Sequence, residues 1–161
     1  MGKYWVANNP NSEINDAKAQ KLAELSATSV SVAELNALDA DSTSCTITPA
    51  SASVADGATV EFAIQFKDAA GDALGHAVGF VYYVSSLSTG LDMDTAVTTI
   101  ADGGAGHIVK ALTAQQSGIA VTTAAGLCEL DLTEAGADVV YLVVIMPDGR
   151  LTVSTGVTWA A

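Results

Sequence analysis

From Val60 to Lys67 the chain alternates strictly. Val60, Phe62, Ile64 and Phe66 fall on one side, and Glu61, Ala63, Gln65 and Lys67 on the other. A helix would scatter these side chains around its circumference; a strand with one buried and one wet face sorts them. Asp68-Ala-Ala-Gly71 then supplies a turn, with Gly71 free to take positive φ. A second apolar run follows over 78–84. Two strands joined by a tight polar turn predict the seed of a sandwich sheet.

The rest of the chain beyond residue 44 has the same character. Expected strands are 45–48, ended at Pro49 and continued by 52–54, then 58–67, 77–85, a short edge strand at 96–100, 107–112, 118–122, 127–132 and 139–146. In 127–132, Leu127, Glu129 and Asp131 lie opposite Cys128, Leu130 and Leu132. The run Val-Val-Tyr-Leu-Val-Val-Ile-Met over 139–146 has no polar face, so both of its sides must be covered or lie against partners. Pro147-Asp-Gly149 turns it into a hairpin with 151–159. Short strands at such spacing, without helices between them, predict an antiparallel β-sandwich over residues 45–161.

Residues 1–44 read differently. Met1 to Asn9 is an extended arm carrying Tyr4, Trp5 and Val6, which either fold back on the next helix or anchor in a groove of another subunit. A helix is predicted over 12–27, where Ile14, Ala17, Lys21 or Leu22, and Leu25 form one narrow stripe. A stripe this thin on about four turns does not hold a helix alone. It must pack on its own sandwich, on symmetry mates or on a larger partner. Ser31-Val-Ala-Glu34 has capping-box spacing and starts a short helix that aligns Val32, Leu35 and Leu38. The polar run Asp39-Ala-Asp-Ser-Thr-Ser44 marks the domain boundary.

Charge narrows the function classes. Six basic residues against eighteen acidic ones give a net charge of −12. Phosphate backbones and anionic membrane surfaces are both repelled, so neither nucleic-acid binding nor membrane insertion is expected. The acidity serves solubility. Half of the residues are hydrophobic, mostly Ala and Val, and only 6% are aromatic, which favours thin, closely packed layers over a large enclosed pocket. No apolar run reaches the length of a membrane span. The first ten residues lack an apolar signal core, so synthesis in the cytoplasm without signal-directed export is expected.

The residues that could carry chemistry are dispersed. Cys45 and Cys128, 83 positions apart, cannot form a CxxC knuckle; a sandwich could bring them together, but buried free thiols are the expectation. His76 and His107 lack the carboxylate spacing of a zinc site and read as solvated turn or strand-end residues. Asp92 and Asp94, with Asp102 as a third, could offer oxygen ligands to calcium, but no EF-type loop surrounds them. There is no Gly-x-Ser-x-Gly elbow, and Gly103-Gly-Ala-Gly106 lacks the lysine of a phosphate loop. Tyr82, Tyr83, Tyr141 and Trp159 read as core and rim aromatics, with a sugar-stacking platform as the functional alternative. No enzyme activity, cofactor or metal is expected.

Two resemblances bear on function. Phe66-Lys-Asp-Ala-Ala-Gly-Asp-Ala-Leu and Gly126-Leu-Cys-Glu-Leu-Asp-Leu-Thr-Glu-Ala-Gly136 resemble the strand-and-turn units of bacterial immunoglobulin-like domains of the invasin and intimin kind. That resemblance implies an Ig-like sandwich used as a spacer or binding module. Ser31-Val-Ala-Glu-Leu-Asn-Ala-Leu-Asp39 is similar to a segment of phage head-fibre, capsid-decoration and tail-fibre proteins, with Ala40 where a glycine is usual. It implies a virion structural protein on the capsid exterior, attached to the major capsid protein through residues 1–44. Tyr4, Trp5, Ile14, Leu22, Leu25, Leu35 and Leu38 are then the expected capsid and oligomer contacts, most simply of a homotrimer. The alternative is a receptor-binding module of a tail fibre or adhesin, contacting host cell-surface glycan.

Overall fold

The structure is a computed structural model, and it describes residues 44–93 and 97–160. The two predicted helices, the boundary run 39–43 and all seven expected contact residues from Tyr4 to Leu38 lie outside the described residues. Those that are described form a β-sandwich of two sheets around one core.

The smaller sheet contains β1 (Ser44–Pro49), β3 (Thr59–Lys67), β8 (Leu127–Thr133) and β5 (Thr99–Asp102), in the order β1-β3-β8-β5. The larger contains β2 (Ser53–Ala55), β11 (Val157–Ala160), β9 (Val139–Ile145), β4 (Gly79–Ser85), β7 (Ser117–Val121) and β6 (His107–Thr113), in that order, with β10 (Leu151–Val153) also paired to β9. All pairings are antiparallel except β2 on β11.

The alternation at 60–67 is realised as expected: Val60, Phe62, Ile64 and Phe66 are all buried. Cys128, Leu130 and Leu132 of β8 join them from the neighbouring strand. Phe80, Tyr82 and Val84 of β4 close the core from the other sheet, as do Leu142, Val144, Val157 and Trp159. Phe66 and Phe80 meet across the two layers with ring centroids 5.1 Å apart, tilted by 47°. The Trp159 indole N–H donates to the Ala58 carbonyl at 2.7 Å, so the last strand is tied to the start of β3.

One expectation fails here. β3 and β4 are not neighbours in one sheet. β1 and β8 already occupy both edges of β3, so β4 has no free edge to join. The turn at Asp68–Gly71 forms, closed by the Asp72 N–H on Asp68 Oδ1 at 2.9 Å, with Gly71 at φ 87°. The chain then drops Leu74 and Val78 into the core and crosses to the opposite sheet, where the apolar face of β4 meets that of β3.

A second expectation, that 52–54 continues the first strand, fails for a related reason. Pro49 ends β1 opposite Phe62, and after Ala50 the chain bends over Ser51 and leaves the small sheet. It reappears as β2, parallel to β11. The edge strand expected at 96–100 is found as β5 at Thr99–Asp102, where Ile100 faces inward opposite Leu132. The Pro147-Asp-Gly149 hairpin is present, but its return strand is broken. From Val153 to Val157 it advances four residues while β9 retreats only three, from Val143 to Val140. This extra residue is a bulge. Gly156 lies in it, where a Cβ would fall 2.8 Å from the Tyr141 ring.

Candidate functional site

The two outer faces of the sandwich differ in chemistry. On the small sheet the outward residues include Thr46, Glu61, Gln65, Glu129 and Asp131, the polar alternation that an exposed sheet requires. Glu61 even stands directly opposite Asp131, a pairing of like charges that only a well-solvated face tolerates.

The large sheet breaks that rule. Strand register sets Leu151 opposite Ile145, Ile145 opposite Val81, Val81 opposite Ile119 and Ile119 opposite Lys110. The result is one straight row across β10, β9, β4, β7 and β6 on the outer face, apolar until it reaches the lysine. Ile145, Val81 and Ile119 are half-buried and Leu151 is 41% exposed. A row this apolar on a solvent-facing sheet is the kind of patch that marks a contact surface.

The neighbouring row, Val153, Val143 and Tyr83, is covered by residues 86–93. Gly90, at φ +65°, lies directly on it: a Cβ there would fall 2.9 Å from Val153 Cγ2 and 3.1 Å from Val143 Cγ2. The Tyr83 hydroxyl donates to the Gly90 carbonyl. The hydroxyls of Ser85 and Ser86 each donate to the Asp92 carboxylate at 2.7 Å, and these two bonds favour its ionised form, lowering its pKa below the ordinary carboxylate value. Burial, with the Asp92 charge beside it, pushes the Tyr83 phenol up. Pinned in this way, the loop seals Val143 from water yet presents Leu87, Leu91 and Met93 outward, with Leu91 78% exposed.

The residues singled out for chemistry are not brought together. His76 and His107 are both exposed, His107 at the first position of β6. Asp102 accepts the Ile108 N–H at 2.5 Å and lies on the small sheet, whereas Asp92 serves the loop on the large one. Asp94 lies outside the described residues. Among the described residues no group of three or more His, Cys, Asp or Glu side chains is placed to hold a metal ion.

Cys45 and Cys128 are free and buried, as expected. They flank β3 on opposite sides, aligned with Phe66 and Ile64. Desolvation pushes both thiols up to about 12, so neither is a nucleophile near neutral pH. Gly103-Gly-Ala-Gly106 is the crossover from β5 to β6 between the two sheets. A Cβ on Gly106 would fall 2.6 Å from the Val121 carbonyl and 2.9 Å from Cys128 Sγ, so backbone alone fits there. Of the four aromatics, Tyr82 and Trp159 are core residues, and Tyr83 and Tyr141 are half-buried.

The outer-face row and the loop beside it were missed in the sequence as a site. Their signal was the unbroken apolar character of 78–84 and 139–146, which a one-sided strand does not need.

No family model matches the chain, and no curated protein matches it. Among solved structures, a cohesin module from a Clostridium perfringens family 33 glycoside hydrolase is similar at 15% identity. The likeness covers 72% of this chain and 95% of that one, with a TM-score of 0.43. Similarity of that degree assigns neither a family nor a function.

Proposed function

We propose that this protein is a non-enzymatic virion structural protein, a decoration or head-fibre protein on the outer capsid surface of a bacteriophage. Residues 1–44 attach it to the major capsid protein, and an Ig-like sandwich serves as the protein-contacting module. The observation that carries a binding role is the apolar row Leu151, Ile145, Val81 and Ile119 with the exposed loop leucines beside it. Apolar area of this kind on an otherwise acidic and soluble chain favours a protein partner, because burying it against another apolar surface is what stabilises association.

Assignment to a virion rests on the similarity of Ser31-Val-Ala-Glu-Leu-Asn-Ala-Leu-Asp39 to the capsid-decoration and fibre segment. A glycan-binding module is the weaker alternative. It would use an open aromatic platform, whereas Trp159 and Tyr82 are spent on the core and the Tyr83 hydroxyl is engaged by Gly90.

Co-sedimentation with purified shells of the major capsid protein tests this directly. The full chain should bind at saturable stoichiometry, and a chain lacking residues 1–30 should not. Full occupancy by the truncated chain would place attachment elsewhere. Binding of the full chain to a glycan array, without binding to shells, would replace the proposal by its alternative.

A further inference from the structure

The geometry points to a second copy of this chain as the occupant of the apolar outer face. This inference rests on reading that face as a protein-contact surface, and it names the partner.

The row is symmetric about its centre. Val81 has an isoleucine directly opposite it on each side, Ile119 on β7 and Ile145 on β9. A two-fold axis in the interface plane, parallel to β4 and passing over Val81, sets Val81 on Val81 of the second copy and Ile119 on Ile145. Such a closed, isologous contact asks a surface to match itself, and this one does.

The ends of the row match as well. Lys110 closes one end, and Leu151 the other, with the exposed Asp148–Arg150 ion pair just before it on the hairpin turn. Four strand spacings of about 4.8 Å separate the ends by about 19 Å. The same two-fold lays the Lys110 stem over Leu151 of the second copy and carries its ammonium towards Asp148. The Asp148 side chain is 44% exposed and holds acceptor capacity beyond its bonds to Arg150.

Relief is complementary too. The 86–93 loop covers Val143 and Val153 on the β9 and β10 side of the face, and the edge strand β6 lies at its other side. The two-fold directs each loop towards the β6 edge of the other copy, where Leu112 is 54% exposed in the bulged strand. Leu91 and Met93 of one copy then meet Leu112 of the other.

The far-sheet carboxylates do not oppose this pairing, and Asp92, in the loop on the paired face, accepts from the Ser85 and Ser86 hydroxyls. Glu61, Glu129 and Asp131 lie on the far sheet. With sheets stacked about 10 Å apart, the acidic faces of two paired copies stand about 30 Å from one another. That is about three Debye lengths at 0.1 M salt, so their repulsion is largely screened.

Analytical ultracentrifugation of the full chain over a range of concentrations tests the inference. Leu91→Glu and Lys110→Glu alter exposed side chains and should leave the circular dichroism spectrum of the folded chain unchanged. Leu91→Glu should halve the number of copies in the assembly, with self-association weakened about tenfold or more, as expected when a charge enters an apolar contact. Lys110→Glu should weaken it by a smaller factor, and Lys110→Glu combined with Asp148→Lys should restore it. Identical masses for the wild type and Leu91→Glu at every concentration would overturn the inference, as would failure of the double exchange to restore what Lys110→Glu loses. If masses are identical but Leu91→Glu abolishes binding to capsid shells, the face contacts another protein. In that case the binding role survives and self-association fails.

Discussion

Gly90 lies on Val143, close enough that a single added methyl group would meet both Val143 and Val153. This contact explains how a strand with no polar face lives in a two-layered sandwich. Leu142 and Val144 of β9 point into the core, and Val143, pointing out, is roofed by a loop. The roof extends no further, which leaves Ile145 and its row half open.

Gly90→Ala should therefore destabilise the loop and the face together. The substitution imposes a Cβ on a residue at φ +65° and drives it into Val153. A loss of about 1–3 kcal/mol is expected in urea unfolding. Tyr83→Phe, which removes only the hydroxyl held by the Gly90 carbonyl, should cost about 1 kcal/mol. Wild-type stability in Gly90→Ala would show that the loop does not rest on β9.

Position along β9 should decide the cost of truncation. Leu142 is completely buried, and Leu142→Ala should lose about 2–5 kcal/mol by leaving a cavity. Val139, on the same strand but 41% exposed, should change by less than about 0.5 kcal/mol when replaced by Ala. Equal costs at the two positions, measured by chemical denaturation, would contradict the burial described.

Much of this architecture was legible in the sequence, because alternation reports a buried face directly. β3 and β8 appear where Val60 to Phe66 and Cys128 to Leu132 predict them. What alternation does not report is which sheet receives a strand. The inner faces of β3 and β4 carry the same kinds of side chain, so the pair reads as a hairpin although the chain crosses the sandwich at Leu74 and Val78. The break at Ser154 and Gly156 was likewise hidden, since a bulge depends on the register of the partner strand. The candidate face was present as two unbroken apolar runs. It remained unread because Val81, Ile119, Ile145 and Leu151 come from four distant segments and align only through strand register.

Alkaline pH should weaken the fold. Burial raises Cys45 and Cys128 from 9.0 to about 12, and it raises Tyr82 from 10.0 to about 12, with Asp102 and Cys128 adding to the effect. Between the unfolded and folded values the native state holds more protons than the unfolded chain, so stability falls as pH rises. It should be intact below about pH 9 and decline steadily from there to about pH 12. Cys45→Ala with Cys128→Ala should flatten that decline even though it lowers stability at neutral pH. An unchanged alkaline slope in the double variant would show that the thiols are not its source. In the wild type both thiols should react with a colorimetric disulfide reagent only after denaturation.

The central claim is that this protein makes contact through the apolar outer face of its large sheet. Hydroxyl-radical footprinting of the full chain, at dilution where it is a single copy and at concentrations where it self-associates, tests it most directly. Leu91, Met93 and Leu151 are open in the free chain and should oxidise readily there. On assembly all three should be protected several-fold, while Leu127, outward on the small sheet, keeps its reactivity. Protection confined to Leu127 and its neighbours, with Leu91, Met93 and Leu151 unchanged, would contradict the account.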